Sequence, residues 1–336
     1  MSNFSRRAFV GLALPIAMAA TLTIGAYPVN AQEYPNRTIK MIVPFAPGGS
    51  SDLLARIVAQ SASEHLGQTI VIENKAGANT MTGFNELLSA RPDGYTIGFG
   101  GSTAIFQPLY GHSRYEYIDE FQALAQVNET YPMLAVNAES AWQTIDDLVA
   151  YARDNPGAVK YGVTGIGNTA HLGPASLALE AGIDIRPVSF DGGAPLIAAL
   201  LGGHIDAGAG SPVDYKTQIE AGRLRGLVMF SNERNTDPVL ADIPTAREAG
   251  YDVDIVLWQG VFGPKGMPSD VIETLSSAFE ITLADAEVQE KIRALGIEPV
   301  YLNAEDYGAK WLADRERMRN LVTETGILEM IQAQTR

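Results

Sequence analysis

Residues 39–54 read Ile39-Lys40-Met41-Ile42-Val43-Pro44-Phe45-Ala46-Pro47-Gly48-Gly49-Ser50-Ser51-Asp52-Leu53-Leu54. An apolar run of strand length enters two glycines and two serines. Apolar residues then recur at helical spacing (Leu53, Leu54, Ile57, Val58, Leu66) until Gly67. Strand, glycine turn and helix form the repeating unit of open α/β sheets. Working outward, "TIVIE" (Thr69–Glu73) reads as a second strand and "NKAGANT" opens a helix around Gly83–Ala90. Pro92-Asp93-Gly94 then turns the chain into a third strand, Tyr95–Phe99. The same order returns from Val159. "VKYGV" is a strand, "TGIGNTAH" a glycine loop, and a helix carrying Leu172, Leu177 and Leu179 ends at Gly182. "IRPVSF" is the next strand, "DGGAP" opens the helix Leu196–Leu201, and "HIDAGAG" closes the unit. Two similar α/β units with parallel sheets are expected.

The joins set the domain plan. A capping-box-like start at Thr144-Ile145-Asp146-Asp147 and the strand "FQALAQV" before it place the start of the second unit near residue 132. A further apolar strand, Ile255–Gly263, precedes two long helical patterns, from Ser269 and from Asn303, that have no sheet of their own. The simplest packing returns both to the first unit. Domain 1 is then 32–131 plus 255–336, and domain 2 is 132–254. Two crossings, near Val127–Leu134 and Tyr251–Trp258, make a hinge. The cleft between the domains receives the carboxyl ends of both sheets, where open α/β sheets bind ligands.

The first residues carry a different message. Arg6 and Arg7 precede an uncharged apolar stretch from Gly11 to Ala26, and Val29-Asn30-Ala31 has the small residues of a cleavage site. Residues 1–31 read as an export signal, with a twin-arginine-like start at Ser5-Arg6-Arg7-Ala8-Phe9-Val10. Its removal takes the formal charge from −15 to −17, which disfavours nucleic acid and anionic membrane partners. The chain has no cysteine, so a periplasmic location would leave stability to the core alone.

Each glycine loop lies where a strand ends and a helix begins. First-turn N–H groups lack internal partners and, with the helix dipole, favour an anion. Ser50, Ser51, Thr164, Asn168 and Thr169 add side-chain donors. No lysine follows the first loop, and Asp52 would repel a polyphosphate, so a carboxylate fits better than a nucleotide phosphate. Gly165-Ile166-Gly167-Asn168-Thr169-Ala170 also matches the dinucleotide pattern GxGxxA, with Asp191 as the acid beyond the next strand. An exported dinucleotide-dependent oxidoreductase is therefore the alternative reading. His65, His112, His171 and His204 have no metal-ligand spacing, and Ser50, His171 and Asp191 lack a nucleophile elbow. No catalytic group, metal or cofactor is expected. His171 falls in the first turn of its helix, where it either touches the ligand or packs against the sheet.

Six segments carry a family resemblance: "YPNRTIKMIVPFAPGGSSDLLAR", "GQTIVIENKAGANTMTGFNELLSARPDGYTIGF", "YARDNPGAVKYGVTGIGNTAHLG", "LLGGHIDAG", "AGRLRGL" and "IPTAREAGYD". Together they resemble the Bug-type receptors, the substrate-binding proteins of tripartite tricarboxylate transporters. The resemblance implies a two-domain periplasmic-binding-protein fold of the two-crossing type (type II) without catalysis. It also implies capture of a small organic acid for a two-subunit membrane permease by a monomeric receptor. Carried over to this sequence, it implies a first ligand loop of Phe45, Ala46, Pro47, Gly48, Gly49 and Ser50, with Asp52 behind it. The second is Thr164, Gly165, Gly167, Asn168 and Thr169, with His171; the following turn is Phe190, Asp191, Gly192 and Gly193. Gly101, Ser102 and Thr103 line the cleft beside them, as does Asp206. Many family members have Val-Pro-Tyr-Lys-Gly where this chain has Val188-Ser189-Phe190-Asp191-Gly192. Asp191 in place of lysine removes a cationic clamp for a second carboxylate. It either accepts from a ligand hydroxyl or ammonium, or caps the next helix.

Overall fold

A computed structural model describes residues 34–324 and 326–334; the export signal assigned to residues 1–31 lies outside them. The first unit contains β1 (Ile39–Val43), α1 (Ser50–Leu66), β2 (Ile70–Asn74), α2 (Met81–Leu88), β3 (Thr96–Gly101), α3 (Thr103–Leu109), α4 (Tyr117–Glu120) and β4 (Phe121–Thr130). The second contains β5 (Met133–Asn137), α5 (Ile145–Asp154), β6 (Lys160–Val163), α6 (Thr169–Ala181), β7 (Arg186–Ser189), α7 (Gly193–Leu201), β8 (Ala207–Gly210), α8 (Pro212–Glu220) and β9 (Leu224–Met229). The chain then adds β10 (Leu257–Pro264), α9 (Ser269–Ala284), α10 (Ala286–Ala294), β11 (Glu298–Leu302), α11 (Ala304–Glu324) and α12 (Ile327–Gln334).

The strands form two sheets, ordered β11-β4-β10-β3-β1-β2 and β7-β6-β8-β5-β9. Each holds one parallel triad, β2-β1-β3 or β7-β6-β8, built by the repeated strand–helix–strand plan. β1 is apolar almost without a break because both its faces are covered, as parallel strands require. In α1, Leu54, Ala55, Val58, Ala59, Ala62 and Leu66 form the buried stripe. Gly67 ends that helix in the left-handed conformation, at φ 62°. At α5 the capping box is made: Thr144 Oγ1 accepts the Asp147 N–H and Asp147 Oδ2 accepts the Thr144 N–H.

Neither sheet is wholly parallel, contrary to the expectation from sequence. β10 runs antiparallel to β3 and β4, and β11 antiparallel to β4. β5 is antiparallel to β8 and β9. The reason is topological. β4 leads the chain out of the first sheet and β10 leads it back, so two neighbouring strands at the crossing must run in opposite senses.

The C-terminal helices also divide. α9 and α10 pack on α1, and α11 on β4 and α3, but α12 rests against α6 of the other sheet's layer. α11 carries an anchor for the crossing strand. Trp258 is 1% exposed, its ring stacks on Trp311, and its Nε1–H donates to Asp314 Oδ2 at 2.6 Å. Lys310 and Arg317 flank the same carboxylate at 3.4 and 3.0 Å. Asp314→Ala would strand a buried indole N–H beside two cations. We expect a loss of about 2 kcal/mol, seen as a lower urea midpoint with the slope retained; an unchanged midpoint would refute the anchoring role.

Candidate functional site

Each parallel triad reverses its strand order once, between β1 and β3 and between β6 and β8. At such switch points the loops leaving neighbouring strands diverge and open a crevice. Both crevices share one cavity of about 30 Å³. From the first sheet it takes Phe45, Gly49, Ser50 and Ser51 after β1, and Gly101, Ser102 and Thr103 after β3. From the second it takes Thr164, Asn168, Thr169 and Ala170 after β6, and Ser211 and Asp214 after β8; Gly193 borders it at the start of α7. Leu257, Trp258 and Gln259 of the crossing strand complete the wall.

The wall is rich in donors without acceptors. Gly48 N–H goes to Asp52 Oδ2 and Ser50 N–H to Asp214 Oδ1, both at 2.9 Å. The N–H groups of Ser51, Thr169 and Ala170 have no acceptor among the described residues. The hydroxyls of Ser102, Thr103, Thr169 and Ser211 are buried and unpartnered. Leaving such a group unsatisfied costs about 1–3 kcal/mol. Four hydroxyls and two helix entrances around one small space are a cost that an anionic guest would remove.

The two sheets' sides are drawn together at this space and around it. Besides Ser50 to Asp214, Ala46 N–H donates to the Asp191 carbonyl at 3.0 Å, and Lys216 Nζ to the Ala294 carbonyl at 2.7 Å. Contacts bind the chain from Tyr34 onward into one unit.

Three ionisable groups near the cavity have different duties. Burial alone would raise the Asp52 pKa. Hydrogen bonds from Arg56, the Gly48 N–H and Asn74 outweigh it and hold the carboxyl below its ordinary range. Asp52 thus shapes the first loop from behind and does not line the cavity. His171 is fully buried, and burial lowers its pKa to about 4. Its Nδ1 accepts the Gly167 N–H at 2.7 Å, which makes Nε2 the protonated nitrogen. It braces the second loop and does not reach the cavity wall. Asp214 is partly buried as a residue, but its carboxyl group lies deep among protein atoms. Burial pushes it up to about 6 against the opposing hydrogen bonds from Ser50.

The other residues singled out in the sequence divide by position. Phe45, Gly49, Ser50, Gly101, Ser102, Thr103, Thr164, Asn168, Thr169 and Gly193 meet at the cavity. Ala46, Pro47, Gly48, Gly165, Gly167 and Gly192 carry the loops but do not line it; Gly48 and Gly167 supply turns at φ 86° and 79°. Phe190 and Asp191 follow the edge strand β7, away from the switch point. The Asp191 side chain is exposed and caps nothing: the α7 cap residue is Gly192, with no side-chain bond. Asp191 is therefore also out of place for holding a dinucleotide ribose. Asp206 sits at the amino end of β8, opposite the cavity, and accepts the Lys160 N–H at 2.8 Å.

Ser51, expected as a side-chain donor, also lines the cavity, as do Ala170, Ser211, Asp214, Leu257, Trp258 and Gln259, which were not singled out as ligand-binding residues. Gln259 Nε2 donates to Ser51 Oγ, tying the crossing strand to α1. A sequence clue to Ser211 existed: "FGGS" at the end of β3 and "GAGS" at the end of β8 are the same exit in the two units.

Comparison with known proteins agrees with this geometry. Residues 54–327 match the family described as "Tripartite tricarboxylate transporter family receptor". The chain belongs to this family. Its members are solute-binding receptors, and the family is not an enzyme family. The periplasmic binding protein BugD has 30% identity to this chain and a TM-score of 0.82, over 87% of this chain and 99% of BugD. R. palustris Rpa4515, solved with adipate, has 28% identity and a TM-score of 0.81 over 87% of this chain and 98% of its own. MatC from Rhodopseudomonas palustris, solved with malate, has 26% identity and a TM-score of 0.75 over 90% of this chain and all of its own. The fold is the two-domain α/β periplasmic-binding-protein fold.

Proposed function

We propose that this receptor is exported to the periplasm, closes its two domains on a small organic carboxylate and delivers it to a two-subunit membrane permease as a monomer. We assign the domains as 32–131 with 255–336, and 132–254, with α12 of the first reaching over to α6 of the second. The observation that carries the reading is the shared cavity, where N–H groups from two helix entrances and four unpartnered hydroxyls converge. Charge-assisted hydrogen bonds to such donors are among the stronger polar contacts, and they gain strength once closure removes water. The adipate and malate of the neighbouring structures support the ligand class.

A ligand that binds only the closed form shifts the equilibrium towards it by its differential affinity. The test is a thermal-shift screen of the chain from Gln32 over organic acids, followed by calorimetry on the hits. At a hundred times its Kd, the right acid stabilises by about 2.7 kcal/mol. Trp258, on the cavity wall, should change its fluorescence on binding. A screen in which no carboxylic acid raises the melting temperature, or a purified protein carrying a nicotinamide or flavin spectrum, would defeat the proposal.

A further inference from the structure

Asp214 is the only ionisable side chain on the cavity wall among the described residues. It rides in the first turn of α8, on the second sheet's side, and reaches across to the first: its Oδ1 accepts the Ser50 N–H at 2.9 Å. It is also pressed against the start of α7, where a Cβ on Gly193 would lie 2.2 Å from Oδ1 and 2.6 Å from Oδ2. One donor position at the α1 entrance is therefore already taken by an internal carboxylate. No lysine, arginine or histidine contributes to its environment; Ser50 alone bonds it. An incoming anion is left with the N–H groups of Ser51, Thr169 and Ala170 and the hydroxyls of Ser102, Thr103, Thr169 and Ser211.

Resting on the carboxylate reading, we infer that Asp214 determines specificity by receiving a protonated amine, so that the ligand carries one carboxylate and one ammonium and no second anionic group. The cavity then has complementary ends: helix entrances and hydroxyls for the carboxylate, Asp214 for the ammonium. A second carboxylate would face a fixed negative charge with no cation on the wall to offset it, and like charges at close range oppose binding. On this view the dicarboxylates of the neighbouring structures are not this chain's ligands.

The probes are L-alanine and the other neutral L-amino acids, propionate, malate and adipate, measured by calorimetry on the full mature chain at neutral pH. The expected order is a neutral amino acid first, its deaminated acid weaker, and the two dicarboxylates weakest. Asp214→Asn keeps the shape and an acceptor for Ser50. It should lower affinity for the preferred amino acid by roughly 30-fold or more and narrow its advantage over malate. Asp214→Glu, which keeps the charge, should retain the amino-acid preference. A melting curve on each variant separates misfolding from lost recognition, and the wild-type order alone decides the case if a variant fails to fold. Tighter binding of malate or adipate than of any neutral amino acid overturns the inference while leaving the carboxylate receptor intact. So does equal discrimination by Asp214→Asn. Failure of every acid in the set overturns both.

Discussion

Gly49→Val should weaken ligand binding about 10- to 100-fold while shifting the melting temperature by only a few degrees. Gly49 is in extended backbone, at φ −87° and ψ 175°, which valine adopts readily. It makes no side-chain cap, so little helix stabilisation is at stake. What a side chain would meet lies on the opposite sheet's side: a Cβ would be 3.3 Å from Gly193 N and 3.7 Å from Asp214 Oδ1. Alanine could be absorbed by a small shift. The branched methyls of valine would extend into that gap, and overpacking of this kind costs about 1–3 kcal/mol. Because the clash exists only when the two sides meet, the cost falls on closure and hence on affinity. Calorimetry with a ligand found in the screen, paired with a melting curve, checks both halves. Wild-type affinity, or a melting temperature lowered by tens of degrees, would show that Gly49 is not a closing contact. Gly167→Ala would be a less clean probe. Its φ of 79° strains any side chain, and its Cβ would also lie 2.2 Å from the Tyr110 ring.

The two halves of the fold were legible because their instructions are local. A buried strand, a glycine turn and an apolar helical stripe fit within some thirty residues, and the chain states them twice. The antiparallel crossing was not. "FQALAQV" and "IVLWQGVFG" are uncharged and mostly apolar, and such runs do not name their partner or their direction. The site divided in the same way. Ser50 and Thr169 announce themselves by opening helices after glycine loops. Asp214 looks like an ordinary first-turn acid favouring its own helix dipole. Only the lateral position of β8 beside β6 turns that residue towards the cavity, and lateral order is a property of the whole sheet. Asp191 shows the converse case. It stands in a glycine loop of the right form, and Gly193 of that loop borders the cavity, but the Asp191 side chain itself is exposed and does not line the wall.

The buried pair His171 and Asp214 should give this protein an acid response that neither residue shows alone. His171 is held neutral, with a folded pKa of about 4 against 6.5 when unfolded. Its contribution is complete above pH 6.5 and is lost as pH falls towards 4, roughly 3 kcal/mol in all. Asp214 works in the other sense, with a folded value of about 6 against 3.8. Its protonated form is favoured in the native state, so its contribution is complete below pH 3.8 and is lost as pH rises through 6. That amounts to roughly 2 kcal/mol after allowing for the part of the residue that solvent reaches. Between pH 4 and 6 the two slopes oppose and largely cancel. Asp214→Asn should expose the histidine slope, making the variant lose stability on acidification faster than the parent. His171→Asn, whose amide oxygen can still accept the Gly167 N–H, should do the reverse. Urea unfolding of the ligand-free parent and both variants at pH 4.5 and pH 7 measures each difference, with every other carboxylate common to all three proteins. Parallel pH profiles for the three would mean that neither group titrates as its burial requires.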